Sequence, residues 1–251
     1  MVRRFLKMAA ATGLAAMAVV STPSCADNHE SIFIFGVVAV TAPDCTAKGD
    51  SGSKLLAYGE MELKITDTYG NFLLVGNQLI SRGSPTNLRA EPNRVQITGA
   101  DIQLTGIDGT DFGFYSVPAN GLVSPTVSAD PTYAPVFVQI IPPAKGKELQ
   151  KYLAPTATNA SPSLTVLADI VIYGQTLGLN DVKTGKFTFT INVTNGGTIV
   201  ETYNAVKGKI DCTSVPTTQN FILSCFPGQD VSANPCYYVC PVDPTATGCT
   251  P

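Results

Sequence analysis

The chain has 251 residues, 16 of them basic and 19 acidic, with seven Cys, a single His and no Trp. A formal charge of −3 argues against binding nucleic acid by electrostatics, which needs a basic face to displace counterions from phosphates. The length suits one large β domain or two small ones.

The first residues carry Arg3, Arg4 and Lys7, an apolar stretch from Met8 to about Val20, and the small or turn-prone Ser21, Thr22, Pro23 and Ser24. Basic, apolar and small residues in that order read as a secretory signal over 1–24, with an apolar part too short to span a bilayer. Its removal takes three cations and no acid, so the formal charge of the remainder falls from −3 to −6. Two cleavages fit. One follows Ala26, at Ser24-Cys25-Ala26. The other precedes Cys25, where Thr22-Pro23-Ser24-Cys25 stands in the place of a bacterial lipobox and Cys25 would take the lipid. Residues 25–30 then form a linker. No second apolar segment reaches spanning length.

The body reads as β. Residues 31–41 are a short apolar run, as in a buried strand. Residues 60–65 alternate Met61, Leu63 and Ile65 against Glu60, Glu62 and Lys64. With residues 71–80, beyond the turn "DTYGN", they are expected to form a hairpin whose two glutamates face solvent. In residues 93–106 the phase of Val95 and Ile97 shifts to Ala100, Ile102 and Leu104, which predicts a bulge at Gly99. Residues 134–141 read as a further strand. Residues 142–153 read as the one helix, opened by Pro142 and Pro143, with Leu149, Tyr152 and Leu153 on its apolar face. Leu164, Val166, Ala168, Ile170 and Ile172 lie in phase over 163–174. In residues 186–194, Phe187, Phe189, Ile191 and Val193 point one way and Thr188, Thr190, Asn192 and Thr194 the other. Short alternating strands between Gly, Pro and Asn turns predict an antiparallel β-sandwich, immunoglobulin-like, over 31–211.

Residues 212–251 hold five cysteines and six prolines and read as a stapled tail packed on the same domain. If Cys25 is lipidated or removed, six cysteines remain: Cys45, Cys212, Cys225, Cys236, Cys240 and Cys249. Disulfides suit an exported chain, and six cysteines pair in 15 ways. Cys45 is the only one outside the tail. An all-intramolecular set therefore brings its Cα within about 7 Å of that of a tail cysteine. Cys236 and Cys240 lack the tight spacing and the His of common zinc sites, so neither metal nor cofactor is expected.

Three motifs resemble chemistry. "GDSGS" at 49–53 matches the surroundings of a serine-protease nucleophile. The base and orienter would have to lie well upstream, and the only His is His29. It reads as a polar loop. Asp101, Asp108 and Asp111 are weak candidates for Ca2+ ligands, in a stretch where Asp-Gly also marks a turn. Glu60 and Glu62 could be a glycosidase pair, but read as a solvated strand face. No catalytic residue is assigned.

"LLVGNQLISRG", "LRAEPNRVQITGADIQLT", "FTFTINV" and "CFPGQD" resemble segments of uncharacterised exported lipoproteins from myxobacteria-like bacteria, across most of the mature chain. That resemblance implies lipidation of Cys25 and a bacterial envelope location, and assigns no activity. It also implies a Cys pair after the "FTFTINV" strand, where this chain reads "TNGGTIV". Ala26 carries no inner-membrane retention charge, which favours the outer membrane or cell surface. The expected role is non-enzymatic, structural or binding. Its partners would be the membrane, through the lipid, and an unidentified protein or glycan. The competing expectation is a soluble secreted adhesin or carbohydrate-binding module.

Overall fold

The computed structural model describes residues 31–40, 44–84, 86–154, 162–196 and 225–230. In chain order the elements are β1 (Ile32–Val38), β2 (Leu55–Leu56), β3 (Gly59–Glu62), β4 (Tyr69–Asn77), β5 (Val95–Gly106), β6 (Asp111–Val123), β7 (Thr132–Ile141), α1 (Pro143–Tyr152), β8 (Ser163–Thr176), β9 (Asp181–Lys183) and β10 (Phe187–Thr194).

Strands β8 and β10 form where side chains alternate most regularly. Along β8, Leu164, Val166, Ala168, Ile170 and Ile172 are buried and the residues between them are not. Its partner β10 buries Phe189, Ile191 and Val193, while Phe187 stays half-buried. A slip of one residue would turn these side chains to solvent, so the Phe189–Ala168 register follows from the pattern. The bulge in β5 is present. Pairing to β8 runs from Ile97–Gly174 to Gly99–Tyr173, leaving Thr98 as the extra residue. Ala100, Ile102 and Leu104 resume the buried face after it.

The all-β class with one short helix holds, but the immunoglobulin-like antiparallel sandwich does not. All ten strands among the described residues belong to one mixed sheet, ordered β2-β1-β4-β7-β6-β5-β8-β10-β3, with β9 beside β8. β3 runs parallel to β10. The first and last strands of that path, β2 and β3, are separated in the chain only by Ala57 and Tyr58. The sheet therefore curls back on itself into a nearly barrel-shaped wall around a single core. β6 belongs to both halves. It pairs along its length with β5, and with β7 at Asn120–Phe137.

The expected hairpin of 60–65 with 71–80 is absent. β3 ends at Glu62 and pairs with β10, while β4 lies between β1 and β7. Strand β4 is buried on both faces. Leu73 and Val75 join the core, and Leu74, on the opposite side, is fully buried as well. On that outer face Leu74 lies between Gly36 and Pro135, flanked by Phe72–Phe137 on one side and Phe33–Gly76–Tyr133 on the other. Phe226 covers the first of these rows, with ring centroids 6.3 Å from Phe72 and 5.9 Å from Phe137.

The helix closes one end of the wall. Its Leu149 is fully buried and Leu153 nearly so, whereas Tyr152 is half exposed and edge-packed on Phe112 at 5.6 Å. Gln150 Nε2 donates to the Leu63 carbonyl and Asn195 Nδ2 to the Leu153 carbonyl, fixing the helix to β3 and β10. Gly146 lies so close to the Asp67 carbonyl that a Cβ there would overlap it. Alanine is the better helix former by about 1 kcal/mol, but overpacking against backbone costs about 1–3 kcal/mol. Gly146→Ala is therefore expected to lower the urea midpoint at unchanged m-value. A raised midpoint would show that the helix is not held against Asp67.

Candidate functional site at the seam of the sheet

A sheet that curls without full closure leaves a seam, and the backbone groups along it need partners. Residues 225–230 supply them. Met61 and Gln229 form an antiparallel bridge, the Glu62 N–H donates to the Gly228 carbonyl, and the Asp230 N–H donates to the Glu60 carbonyl. Side chains then reach across to β4. Gln229 accepts from the Gly70 N–H and donates to the Thr68 carbonyl.

Asp230 is the hub. Its carboxylate accepts from the Glu60 N–H at 3.0 Å, from the Tyr69 hydroxyl at 2.8 and 3.0 Å, and from Asn71 Nδ2 at 2.9 Å. Burial raises its pKa above the ordinary aspartate value and the Glu60 charge adds to this. The hydrogen bonds offset part of the rise. Burial and the Asp230 charge push the Tyr69 phenol far above its usual range, so it stays a donor. The Tyr69 hydroxyl lies over Gly59, where any Cβ would overlap it. A cavity of about 270 Å³ adjoins the hub, lined by Leu55, Leu56, Ala57, Tyr58, Glu60 and Asp230.

The seam is also fastened covalently. Cys45 and Cys225 are disulfide-bonded, their Cα atoms 5.4 Å apart. This meets the expectation that Cys45 pairs with a tail cysteine. A bridge spanning 180 residues is worth about 5 kcal/mol as an upper figure from loop-closure entropy. It ties the loop that follows β1 to the segment carrying Phe226 and Asp230. Cys45 and Asp230 both adopt left-handed backbone, with φ of 48° and 57°, at a cost of about 1–2 kcal/mol each. Cys25, Cys212, Cys236, Cys240, Cys249 and His29 lie outside the described residues.

The expected Ca2+ candidates do not converge. Asp101 accepts from the Ser116 hydroxyl at 2.6 Å. Asp108 accepts from the Thr110 N–H and the Tyr152 hydroxyl, which lower its pKa in that order. Asp111 accepts from Gln103 Nε2 and the Gly113 N–H. Among the described residues no three His, Cys, Asp or Glu side chains gather as a metal site would require.

Glu62 departs from its expected solvated face. It is only 2% exposed and accepts from the Lys64 N–H, the Gly196 N–H and the Thr194 hydroxyl. The structure makes it a fastener between β3 and the end of β10. Glu91 plays a similar part in a surface loop. It accepts from the Ser81 hydroxyl and from the Arg82, Gly83 and Asn93 N–H groups. Burial alone would raise its pKa, but these bonds, Ser81's first, bring it down to about 2. The "GDSGS" segment is a turn in which Gly52 N–H donates to Asp50 and Ser53 to the Lys48 carbonyl, as a polar loop should be.

The hub at Asp230 escaped sequence reasoning. The one signal available was the short "CFPGQD" segment, whose partners lie some 160–170 residues away. No family model matches the chain, and no curated protein matches it.

Two outcomes test the hub and the loop. A raised folded-state pKa means that the Asp230 contribution is full below about 4 and is lost as pH rises through the raised value. Asp230→Asn is expected to be about 1–3 kcal/mol less stable near pH 5, because one converging donor loses its acceptor. It should also lose less stability than the parent between pH 4 and 7, and an equal slope in both would remove Asp230 as the titrating group. Glu91 has the opposite sign. Its stabilisation is present above about 4.3 and is lost as pH falls toward about 2. Carboxyl NMR titration should place its midpoint near 2, and a midpoint above 4 would contradict the four-donor clamp.

Proposed function

We propose that the protein is an exported component of the bacterial envelope, held to the membrane by a lipid on Cys25, with a structural or binding role and no catalytic one. The observation that carries this reading is the Cys45–Cys225 bridge. Disulfides form and persist in oxidising compartments, which agrees with a signal-like segment over 1–24 and a cysteine at its end. No helix among the described residues is long and apolar enough to cross a membrane. A lipid at Cys25 would supply the attachment. The non-catalytic part draws support from the carboxylates. Glu62, Glu91, Asp101, Asp108, Asp111 and Asp230 each hold strands or turns together through donors of their own. A sheet fastened by the Asp230 hydrogen bonds and the Cys45–Cys225 bridge supports a role as a scaffold or binding module on the outer membrane or cell surface.

A second reading is a soluble secreted adhesin or carbohydrate-binding module, cut after Ala26. An open groove on the outer face of the sheet, where hydroxyl, amide and charged side chains stand beside Tyr173, favours a binding role of this kind. Intact mass of protein purified from the membrane fraction separates the two. An acylated Cys25 N-terminus, lost to the soluble fraction in Cys25→Ser, is the expected result. An unmodified N-terminus at Asp27 would overturn the anchor in favour of the secreted module.

A further inference from the structure

The bulge in β5 has a neighbour that the seam does not use. Beside it runs an open groove of about 510 Å³, with Thr98 of β5, Tyr173 and Gln175 of β8, Asp181 and Lys183 of β9, and Ser31 at its edge. The β8–β9 register sets Tyr173 opposite Lys183 and Gln175 opposite Asp181. The even-numbered residues of β8 are buried, so the odd-numbered ones project outward and these four side chains form two rows on the outer face. Gln175 Nε2 donates to Asp181 Oδ1 at 3.1 Å, which holds one row in place. The extra residue at Thr98 interrupts the β5–β8 ladder here. Gly99 lets the Tyr173 phenol lie across the β5 backbone, since a Cβ there would overlap its hydroxyl. Bulges re-aim side chains in this way beside binding sites.

We propose that this groove binds a short, uncharged saccharide. Its volume falls within the span of ligand pockets, about 300–1,000 Å³. Its lining offers hydroxyls, an amide, a carboxylate and an ammonium around one aromatic ring. Asp181 and Lys183 offset each other, so no ionic ligand is favoured by net charge. Val182 is the only aliphatic side chain in the lining, too little to hold an acyl chain. Polar groups of both hydrogen-bonding senses beside a ring suit vicinal hydroxyls above a C–H face. The site is carried by three hydrogen-bonded strands, so little backbone ordering is needed on binding. This inference rests on the binding role proposed above and gives it a ligand class.

Cellotriose, maltotriose and chitotriose are titrated separately into the purified, disulfide-intact protein, and backbone amides are followed by NMR. At least one is expected to shift Thr98, Tyr173 to Gln175 and Asp181 to Lys183 with a Kd on the order of 1 mM or tighter. Tyr173→Ala is expected to weaken binding at least about tenfold. Asp181→Asn, which keeps the side-chain shape, checks the same loss without disturbing the ring, and unchanged spectra elsewhere confirm the fold of both variants. Failure of all three trisaccharides to shift these amides overturns the proposal. So does binding that both variants leave intact, or a response in the groove to inorganic phosphate or spermidine alone. The anchor is read by mass and fractionation. A protein acylated at Cys25 that ignores saccharides loses only the ligand class, and one that binds them without acylation loses only the anchor.

Discussion

One carboxylate governs how this sheet ends. Asp230 gathers a backbone N–H from β3, a phenol and an amide from β4, and places its own N–H on β3. Without that convergence the free side of β3 would face water with unpaired backbone, and β4 would hold a buried Tyr69 hydroxyl and Asn71 amide with nothing to accept from them. Unsatisfied buried donors cost about 1–3 kcal/mol each. Desolvating the carboxylate is the opposing term, visible as a pKa displaced upward. The hydrogen bonds offset part of it because three donors meet one acceptor.

The same six residues serve a second layer. Phe226 lies on Phe72 and Phe137 on the outside of the sheet, one residue after the disulfide to Cys45. The loop from Asp44 to Lys54 is drawn over β7, with Gly49 against Pro135 and Tyr133. The polar inner grip of Gln229 and Asp230 and the aromatic outer cover of Phe226 therefore act on opposite faces of β4. This explains why Phe72, Leu73, Leu74 and Val75 are apolar without alternation. The bridge lowers the entropy of the unfolded chain, whereas the hub and the aromatic contacts act in the folded state. These contributions are physically distinct, and the left-handed backbone at Cys45 and Asp230 is held by their combination.

How much of this was legible follows from the range of each signal. β8, β10 and the bulge at Gly99 were readable because a period of two and its interruption are local. The helix was readable from its prolines and three apolar residues. β6 was not read as a strand. Gly113, Pro118 and Gly121 interrupt it, Phe114 and Leu122 point outward, and its buried set of Phe112, Val117, Ala119 and Val123 changes phase midway. The hairpin of β3 and β4 failed for a different reason. Alternation in 60–65 shows that two faces differ, not that one is wet. Glu62 is buried because Gly196 and Thr194 meet it from β10 and the turn beyond. Parallel pairing to a strand some 130 residues later has no local signature. Cysteine counting succeeded at long range because it is a constraint of parity, and it reached the pairing of Cys45 with the tail but not the choice of Cys225.

Two ends of the sheet have different fates. At one, the 225–230 segment fills the gap with fixed hydrogen bonds, an aromatic cover and a covalent bridge, which leaves that region little freedom to respond to a ligand. At the other, β9 is three residues long, pairs with β8 and lies against β1. Among the described residues, none of the tail lines the groove there. A short strand displaying Asp181 and Lys183 beside a bulged Thr98 gives up ladder hydrogen bonds that a regular barrel would keep. Register shifts also occur at Ile34–Gly36 and Tyr69–Asn71, but the one at Thr98 adjoins an open groove. That is the physical reason to look for function there and to treat the fastened end as the frame that holds it.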